Sequence, residues 1–325
     1  MLISYRPISD PYLNIAAEEY YVKHSTEDIC MIWINDRSVI IGKHQNAFAE
    51  INYPFLKENN IPVIRRISGG GAVYHDRGNV NFSFITKTGS GSQVDFGRFT
   101  SIIVKFMQSL GLEVNISKRN SLFVGNLKFS GHAEHVFHNR VLHHGTILFS
   151  TDLITLQKAI TPIREYQSKA MASVRSDVGN VAPLLPYTID IQEFVKLFID
   201  WLAHFYEGSS LYEAAPNEPE AIRNLAETKY KTWEWNFGYS PAYSFTIHLQ
   251  SFTKTIPVVL KVENGKFVQF DLLSNAENET LIKLLNKLNG IFHKEEEIDN
   301  FVQKNRQELE QTGINTVTFR ELFFS

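Results

Sequence analysis

Residues 65–78, RRISGGGAVYHDRG, bring together groups able to handle an anion. Three consecutive glycines, Gly69, Gly70 and Gly71, cost backbone entropy, and a tight turn needs only one or two of them. A run of three exposes several N–H groups with no side chains in the way, so the backbone can close on an anion or a long flat chain. Arg66 adds a guanidinium fork and Ser68 a hydroxyl. The phosphate loop GxxxxGK followed by Ser or Thr is excluded, because no such Lys pair follows at the required spacing. A ligand-binding loop is the better reading.

Lys128, in NLKFSGH, is a surface charge if its strand is exposed. Turned inward, its ammonium needs an anionic partner, and a phosphate with a developing oxyanion would serve. His143 and His144 are adjacent in a strand-like run, so their side chains point to opposite faces and cannot grip one ion. At most one faces a pocket. Cys30 is the sole cysteine. It has no adjacent histidine or basic residue and precedes an apolar run, so it reads as a buried structural thiol rather than a nucleophile.

The 325 residues are 43% hydrophobic and 21% charged, an ordinary globular composition for one or two domains. A formal charge of −3 gives no general pull toward nucleic acid. No secretory signal or membrane-length apolar run is apparent, and one cysteine rules out an intramolecular disulfide. A cytoplasmic location, no membrane association and a monomeric state are expected.

These groups need elements to hold them. Asn14 reads as the cap of a short helix, IAAEEYYVKH, with Glu18 and Glu19 near its positive end. MIWIN and SVIIG read as strands of a hairpin turned at Asp36-Arg37, and VNFSFIT as a further strand. SLFVGNLKFSG gives two short strands about Gly125-Asn126, and VLHHGTILF another. Apolar spacing predicts helices over 100–110 and 190–206, the latter with Ile191, Phe194, Val195, Phe198, Leu202 and Phe205 inward. The aromatic segment WEWNFGYSPAYS reads as a junction between a domain at 1–242 and a smaller one at 243–325. The smaller one shows three strands, with an Asn264-Gly265 hairpin, then two helical patterns, the second over 295–311. The fold class is α+β: a large domain with a mostly antiparallel sheet and flanking helices, plus a small α+β C-terminal domain. A doubly wound sheet is disfavoured, since no strand leads into GxGxxG.

In this order, NIAAEE, VIIGKHQN, RRISGGGAVYHDRGNVNFSF, LKFSGHA, LHHGTILF, SVRS and WEWNFG resemble the lipoate–protein ligase A family over nearly the whole chain. That family's fold is related to the catalytic domains of biotin ligases and class II aminoacyl-tRNA synthetases. The resemblance implies that lipoate and ATP, with Mg2+ assisting, give lipoyl-AMP and pyrophosphate. The lipoyl group would then pass to a lysine on an acceptor domain of a 2-oxoacid dehydrogenase complex or of the glycine cleavage H protein. Lys128 would contact the adenylate phosphate and the acyl carbonyl. Arg66, Ser68 and Gly69 to Gly71 would line the lipoyl and phosphate region, with Ala72, Val73 and Tyr74 continuing along the nucleotide. Trp33 and His75 would bound the acyl pocket, with His144 its second wall. Asn79 and Asn120 are candidates for contacts to nucleotide or metal. The loop at 165–180, with Lys169, Ser173, Val174 and Arg175, would fold over AMP. Where the family often has Asn-Asp, this chain has Asn120-Ser121, so position 121 offers no carboxylate to a metal. The alternative in the same superfamily is an acyltransferase using preformed lipoyl-AMP or an octanoyl group. A biotin ligase and a non-catalytic lipoate sensor rank below it.

Overall fold

The computed structural model describes residues 1–88, 95–174, 176–252, 254–273 and 279–325. Two compact units divide them. The first comprises Met1–Lys43, Ile61–Lys158 and Ser173–Thr232; the second comprises His44–Asn60, Ala159–Ala172 and Trp233–Ser325. The aromatic WEWNFG segment therefore begins the last segment of the second unit, and two earlier stretches of chain join it there.

In the first unit the strands run β1 (Leu2–Arg6), β2 (Ile29–Ile34), β3 (Ser38–Ile41), β4 (Val63–Arg65), β5 (Val73–His75), β6 (Asn79–Lys87), β7 (Asn115–Ile116), β8 (Leu122–Val124), β9 (Leu127–Ser130), β10 (His132–Phe137) and β11 (Arg140–Leu148). A six-stranded sheet has the order β10-β11-β6-β2-β1 followed by the short strand Ser210–Leu211. Its β10, β11, β6 and β2 pair antiparallel, while β1 runs parallel to both neighbours. Strands β4, β3 and β5 form a second sheet, and β7, β8 and β9 a third.

The anticipated β2–β3 hairpin does not form, because β2 and β3 belong to different sheets. Asp36 is anchored instead, its N–H donating to the Ser9 carbonyl and its carboxylate accepting from Ser9 and Arg77. The N-terminal helix also starts earlier than expected, at Pro11, with Asp10 as its cap. Asn14 lies inside that helix and turns inward. Its amide donates to the Ile8 carbonyl and to Asn35 Oδ1, and its oxygen accepts from Arg6.

Strand alternation sorts the main sheet into two faces. On one, Cys30 and Ile32 of β2 and Phe82 and Phe84 of β6 pack against Phe99, Ile103 and Phe106 of the Phe96–Ser109 helix and Phe194, Phe198 and Leu202 of the Ile191–Phe205 helix. Phe205, read as inward, is 38% exposed, since the helix ends there. On the other face, Trp33 of β2, Ser83 of β6 and His144 of β11 meet the Pro11–His24 helix through Glu18. Cys30 is fully buried and its thiol is pushed up by burial alone, which leaves it inert as a nucleophile.

The second unit carries an antiparallel meander of Tyr243–Gln250, Thr255–Glu263 and Lys266–Leu272, edged by Gln167–Ser168. Asn264 and Gly265 both have positive φ, 51° and 73°, as a two-residue hairpin turn of this type requires. The helical pattern over 295–311 is broken at Asn305 into Glu295–Lys304 and Arg306–Gln311. Among the described residues no helix is long and apolar enough to cross a membrane.

Phe198 is fully buried and stacks on Phe106 with ring centroids 4.5 Å apart. Phe198→Ala should cost about 3–5 kcal/mol, read as a lowered urea midpoint, because the cavity lies between a sheet and two helices that cannot close over it.

Candidate active site

The glycine run sits between β4 and β5, and its shape is set from inside. The Arg66 guanidinium is 5% exposed and donates to the carbonyls of Gly69 at 2.6 Å, Gly71 at 2.8 Å and Ile40 at 3.1 Å, and to Ser68 Oγ at 2.9 Å. The loop's carbonyls thus turn toward Arg66. Burial pulls the guanidinium down to about 10, partly offset by the charge of Glu18. Gly70 has φ +88°, a region closed to most side chains. A Cβ on Gly42 of the neighbouring β3 end would lie 2.1 Å from the Gly70 carbonyl oxygen, so the loop can close only over a bare backbone. At its far end Ser173 Oγ accepts from the Ala72 N–H at 2.9 Å.

From Ser68 a buried hydrogen-bonded chain runs across the sheet. Ser68 Oγ lies 2.6 Å from His144 Nε2, and His144 Nδ1 lies 2.7 Å from Glu18 Oε1. Ser83 donates to the same Glu18 oxygen at 2.6 Å, and the Trp33 indole donates to Ser83 at 3.0 Å. Glu18 Oε2 has no partner among the described residues. The sequence had suggested only a helix-dipole role for Glu18 and Glu19. Both are buried: Glu19 instead accepts from Lys23, Lys229 and Tyr230, which hold its carboxyl below the ordinary range despite burial.

His75 is positioned by the same helix. Asn14 donates to Asn35 Oδ1, which fixes the Asn35 amide so that its Nδ2 donates to His75 Nδ1 at 3.1 Å. Nδ1 is then an acceptor and Nε2 carries the proton, yet Nε2 is buried without a protein partner. Burial, with Arg66 and His144 adding, holds the ring down to about 3, so it is a neutral donor. Trp33 packs edge-on against it at 5.8 Å. Asn79 donates to Asn81 Oδ1 at 2.8 Å, which leaves Asn79 Oδ1, Asn81 Nδ2 and the Tyr74 hydroxyl buried and unpartnered.

Lys128 is half-buried on β9. Its N–H donates to the Asp177 carbonyl and its carbonyl accepts from the Gly179 N–H, so the chain at 177–179 braces it opposite β8. Its ammonium has no protein partner among the described residues, and burial lowers its basicity. The end of its side chain lies against Gly131, where a Cβ would come 3.6 Å from Nζ.

Sequence reading thus singled out Trp33, Arg66, Ser68, His75 and His144, which the fold gathers in one bonded region. It missed Glu18, Ser83, Asn35 and Asn81; the EE pair in NIAAEE and the alternation of β6 are the signals that were there. Asn120 lies in the turn between β7 and β8 with φ 57°, and Val174 is 61% exposed. Lys169 is exposed in the second unit, and Arg175 lies outside the described residues.

This α+β unit therefore combines a bare glycine loop, a buried polar wall and a lysine with no partner among the described residues, an arrangement able to receive an anionic ligand. The Lipoyl protein ligase A/B catalytic domain family matches residues 10–203, and the chain belongs to that family. It is 39% identical over 268 residues to Lipoate–protein ligase 1 of Staphylococcus aureus, covering 81% of each chain. Among solved structures it is similar to P. falciparum LipL1 in complex with lipoate, with a TM-score of 0.63 at 25% identity over 95% of this chain and 97% of that one. It is also similar to a lipoate–protein ligase A bound with ATP, with a TM-score of 0.62 at 26% identity over 74% of this chain and 100% of that one.

His75 stays neutral when folded, whereas the unfolded chain protonates it near its ordinary 6.5. Its contribution to stability is therefore complete above about pH 6.5 and is lost as pH falls toward about 3. Between about pH 7 and about pH 5 the urea midpoint of His75→Gln should drop less than that of the wild type.

Proposed function

We propose that this chain is an ATP-dependent lipoate–protein ligase. It joins the lipoate carboxylate to AMP with release of pyrophosphate. It then passes the acyl group to the ε-amine of a lysine on the acceptor domain of a 2-oxoacid dehydrogenase complex or on the glycine cleavage H protein. The observation that carries the reading is Lys128, a half-buried ammonium with no protein acceptor among the described residues. Such a charge calls for an anion, and an acyl phosphate supplies one on either side of the scissile bond.

The neighbouring groups fit the same ligand. Arg66 gathers the loop carbonyls, so the glycine backbone is held before a ligand arrives. The His75 Nε2–H is a neutral donor suited to a carboxylate or acyl oxygen. Trp33 and His144 bound the acyl side, while Ala72, Val73 and Tyr74 continue toward the nucleotide. Ser173 and Val174 belong to a loop that excludes water over the adenylate. Magnesium enters as MgATP. The described residues hold no cluster of three His, Cys, Asp or Glu arranged for a metal, and Asn79 Oδ1 is one of several buried oxygens with no partner among them. Asn120 is the weaker candidate. The protein is read as cytoplasmic and monomeric. The buried Cys30 thiol counts against an octanoyltransferase that uses a cysteine.

Lys128→Ala should keep the fold and lose pyrophosphate release by about 100-fold or more. The assay incubates the protein with lipoate, MgATP and an apo acceptor domain, and follows pyrophosphate and acceptor mass. Absence of pyrophosphate from the wild type would remove the ligase reading, and retained activity in the variant would remove Lys128 from it.

A further inference from the structure

The faces of β11 carry two different networks. His144 belongs to the chain described above. His143, one residue earlier, points to the opposite face and enters a second buried chain to which the ligase reading gives no role. Ser130 Oγ lies 3.1 Å from His132 Nε2, His132 Nδ1 lies 2.9 Å from His143 Nε2, and His143 Nδ1 lies 2.6 Å from Glu134 Oε1. The Glu134 side chain is 3% exposed, and its second oxygen has no protein partner.

We propose that Ser130, His132, His143 and Glu134 form a reversible proton relay, whose far end holds an added proton and whose near end resets the hydrogen-bonding role of Ser130. Each imidazole bonds through both nitrogens, so a neutral pair has two self-consistent orders. With Glu134 ionised, Ser130 O–H donates to His132 Nε2, His132 Nδ1–H to His143 Nε2, and His143 Nδ1–H to the carboxylate. With Glu134 protonated every bond reverses. The carboxyl O–H then donates to His143 Nδ1, His143 Nε2–H to His132 Nδ1, and His132 Nε2–H to Ser130 Oγ. Each hydrogen moves one place toward Glu134 and a proton from solvent replaces the one that leaves Ser130, so the chain gains one proton and neither ring becomes charged.

The surroundings support this order. Burial holds His143 down to about 3 and His132 well below the ordinary histidine range, with His143, Lys128 and His144 adding to His132. Phe82 and Phe84 of β6 and Phe96 and Phe99 of the Phe96–Ser109 helix wall in the His143 ring. Glu134 is raised to about 7 by burial, then by the charge of Asp95 at the N-terminal cap of that helix, and His144 opposes the rise. Asp95 and His144 are also the charges that His143 feels.

The near end lies beside the site: Gly131 separates Ser130 from His132, a Cβ on it would come 3.6 Å from Lys128 Nζ, and Lys128 is among the charges that lower His132. In the protonated order the Ser130 hydroxyl hydrogen is released to donate beside Lys128; in the ionised order it is committed to His132. His132, His143 and Glu134 are thus positioning residues.

Imidazole 15N NMR of the full chain across about pH 5.5–8.5 tests this without reference to activity. His132 and His143 should stay neutral and exchange the Nδ1–H for the Nε2–H tautomer in one step near pH 7 as pH falls, and Glu134→Gln should abolish the step. A fixed tautomer, an imidazolium, or a step that survives in Glu134→Gln overturns the relay. The coupling to the site rests on the ligase reading and is read as pyrophosphate release. The ratio of wild type to Glu134→Gln should fall by about 3- to 10-fold as pH rises through the step, the factor one hydrogen bond is worth. Ser130→Ala should keep the tautomer step and lose that pH dependence. A flat ratio, or pH dependence that persists in Ser130→Ala, overturns the coupling even where the NMR step is present.

Discussion

Arg66 is a buried cation whose donors go to three backbone carbonyls and one hydroxyl rather than to a carboxylate. That choice fixes much else. A guanidinium in the interior needs every donor met and a counter-charge nearby, or it destabilises the fold. The glycine loop meets the donors because bare residues let its carbonyls turn inward, and Glu18 supplies the charge from the N-terminal helix. Loop and helix are therefore parts of one electrostatic unit, joined by Ser68 and His144.

Its consequence is a wall with unused polar capacity. A folded interior normally pairs its polar atoms, and each exception asks for an explanation. Here the His75 Nε2–H, Asn79 Oδ1, Asn81 Nδ2 and Glu18 Oε2 are left over among the described residues. They come from β5, β6 and the Pro11–His24 helix, elements already locked by other bonds. A ligand that uses them meets groups whose orientation is fixed in advance, so little ordering entropy is spent at that step.

Much of this was legible in the residues. The glycine run, the two-faced histidine pair and the Asn264-Gly265 hairpin follow from local rules, since Gly frees φ, strands alternate, and Asn-Gly accepts positive φ. Glu18 was not legible, because a glutamate in a helical pattern looks the same whether it faces water or a buried histidine. Nor was the separation of β2 from β3: a short Asp-Arg link fits a hairpin, and only the anchoring of Asp36 by Ser9 and Arg77 shows that the chain bends into another sheet. Both depend on partners that lie far away in sequence.

The strand β11 shows how one local rule yields two long-range arrangements. Alternation sends His143 toward the phenylalanines of the apolar face and His144 toward Glu18. Each ring ends on a carboxylate, Glu134 on one side and Glu18 on the other. The two carboxylates differ in surroundings: Glu18 feels Arg66 nearby, whereas Glu134 lies near the like charge of Asp95. A buried acid beside another acid gives up its charge more readily. The same pair of residue types thereby meets a cation on one face of the sheet and a second acid on the other.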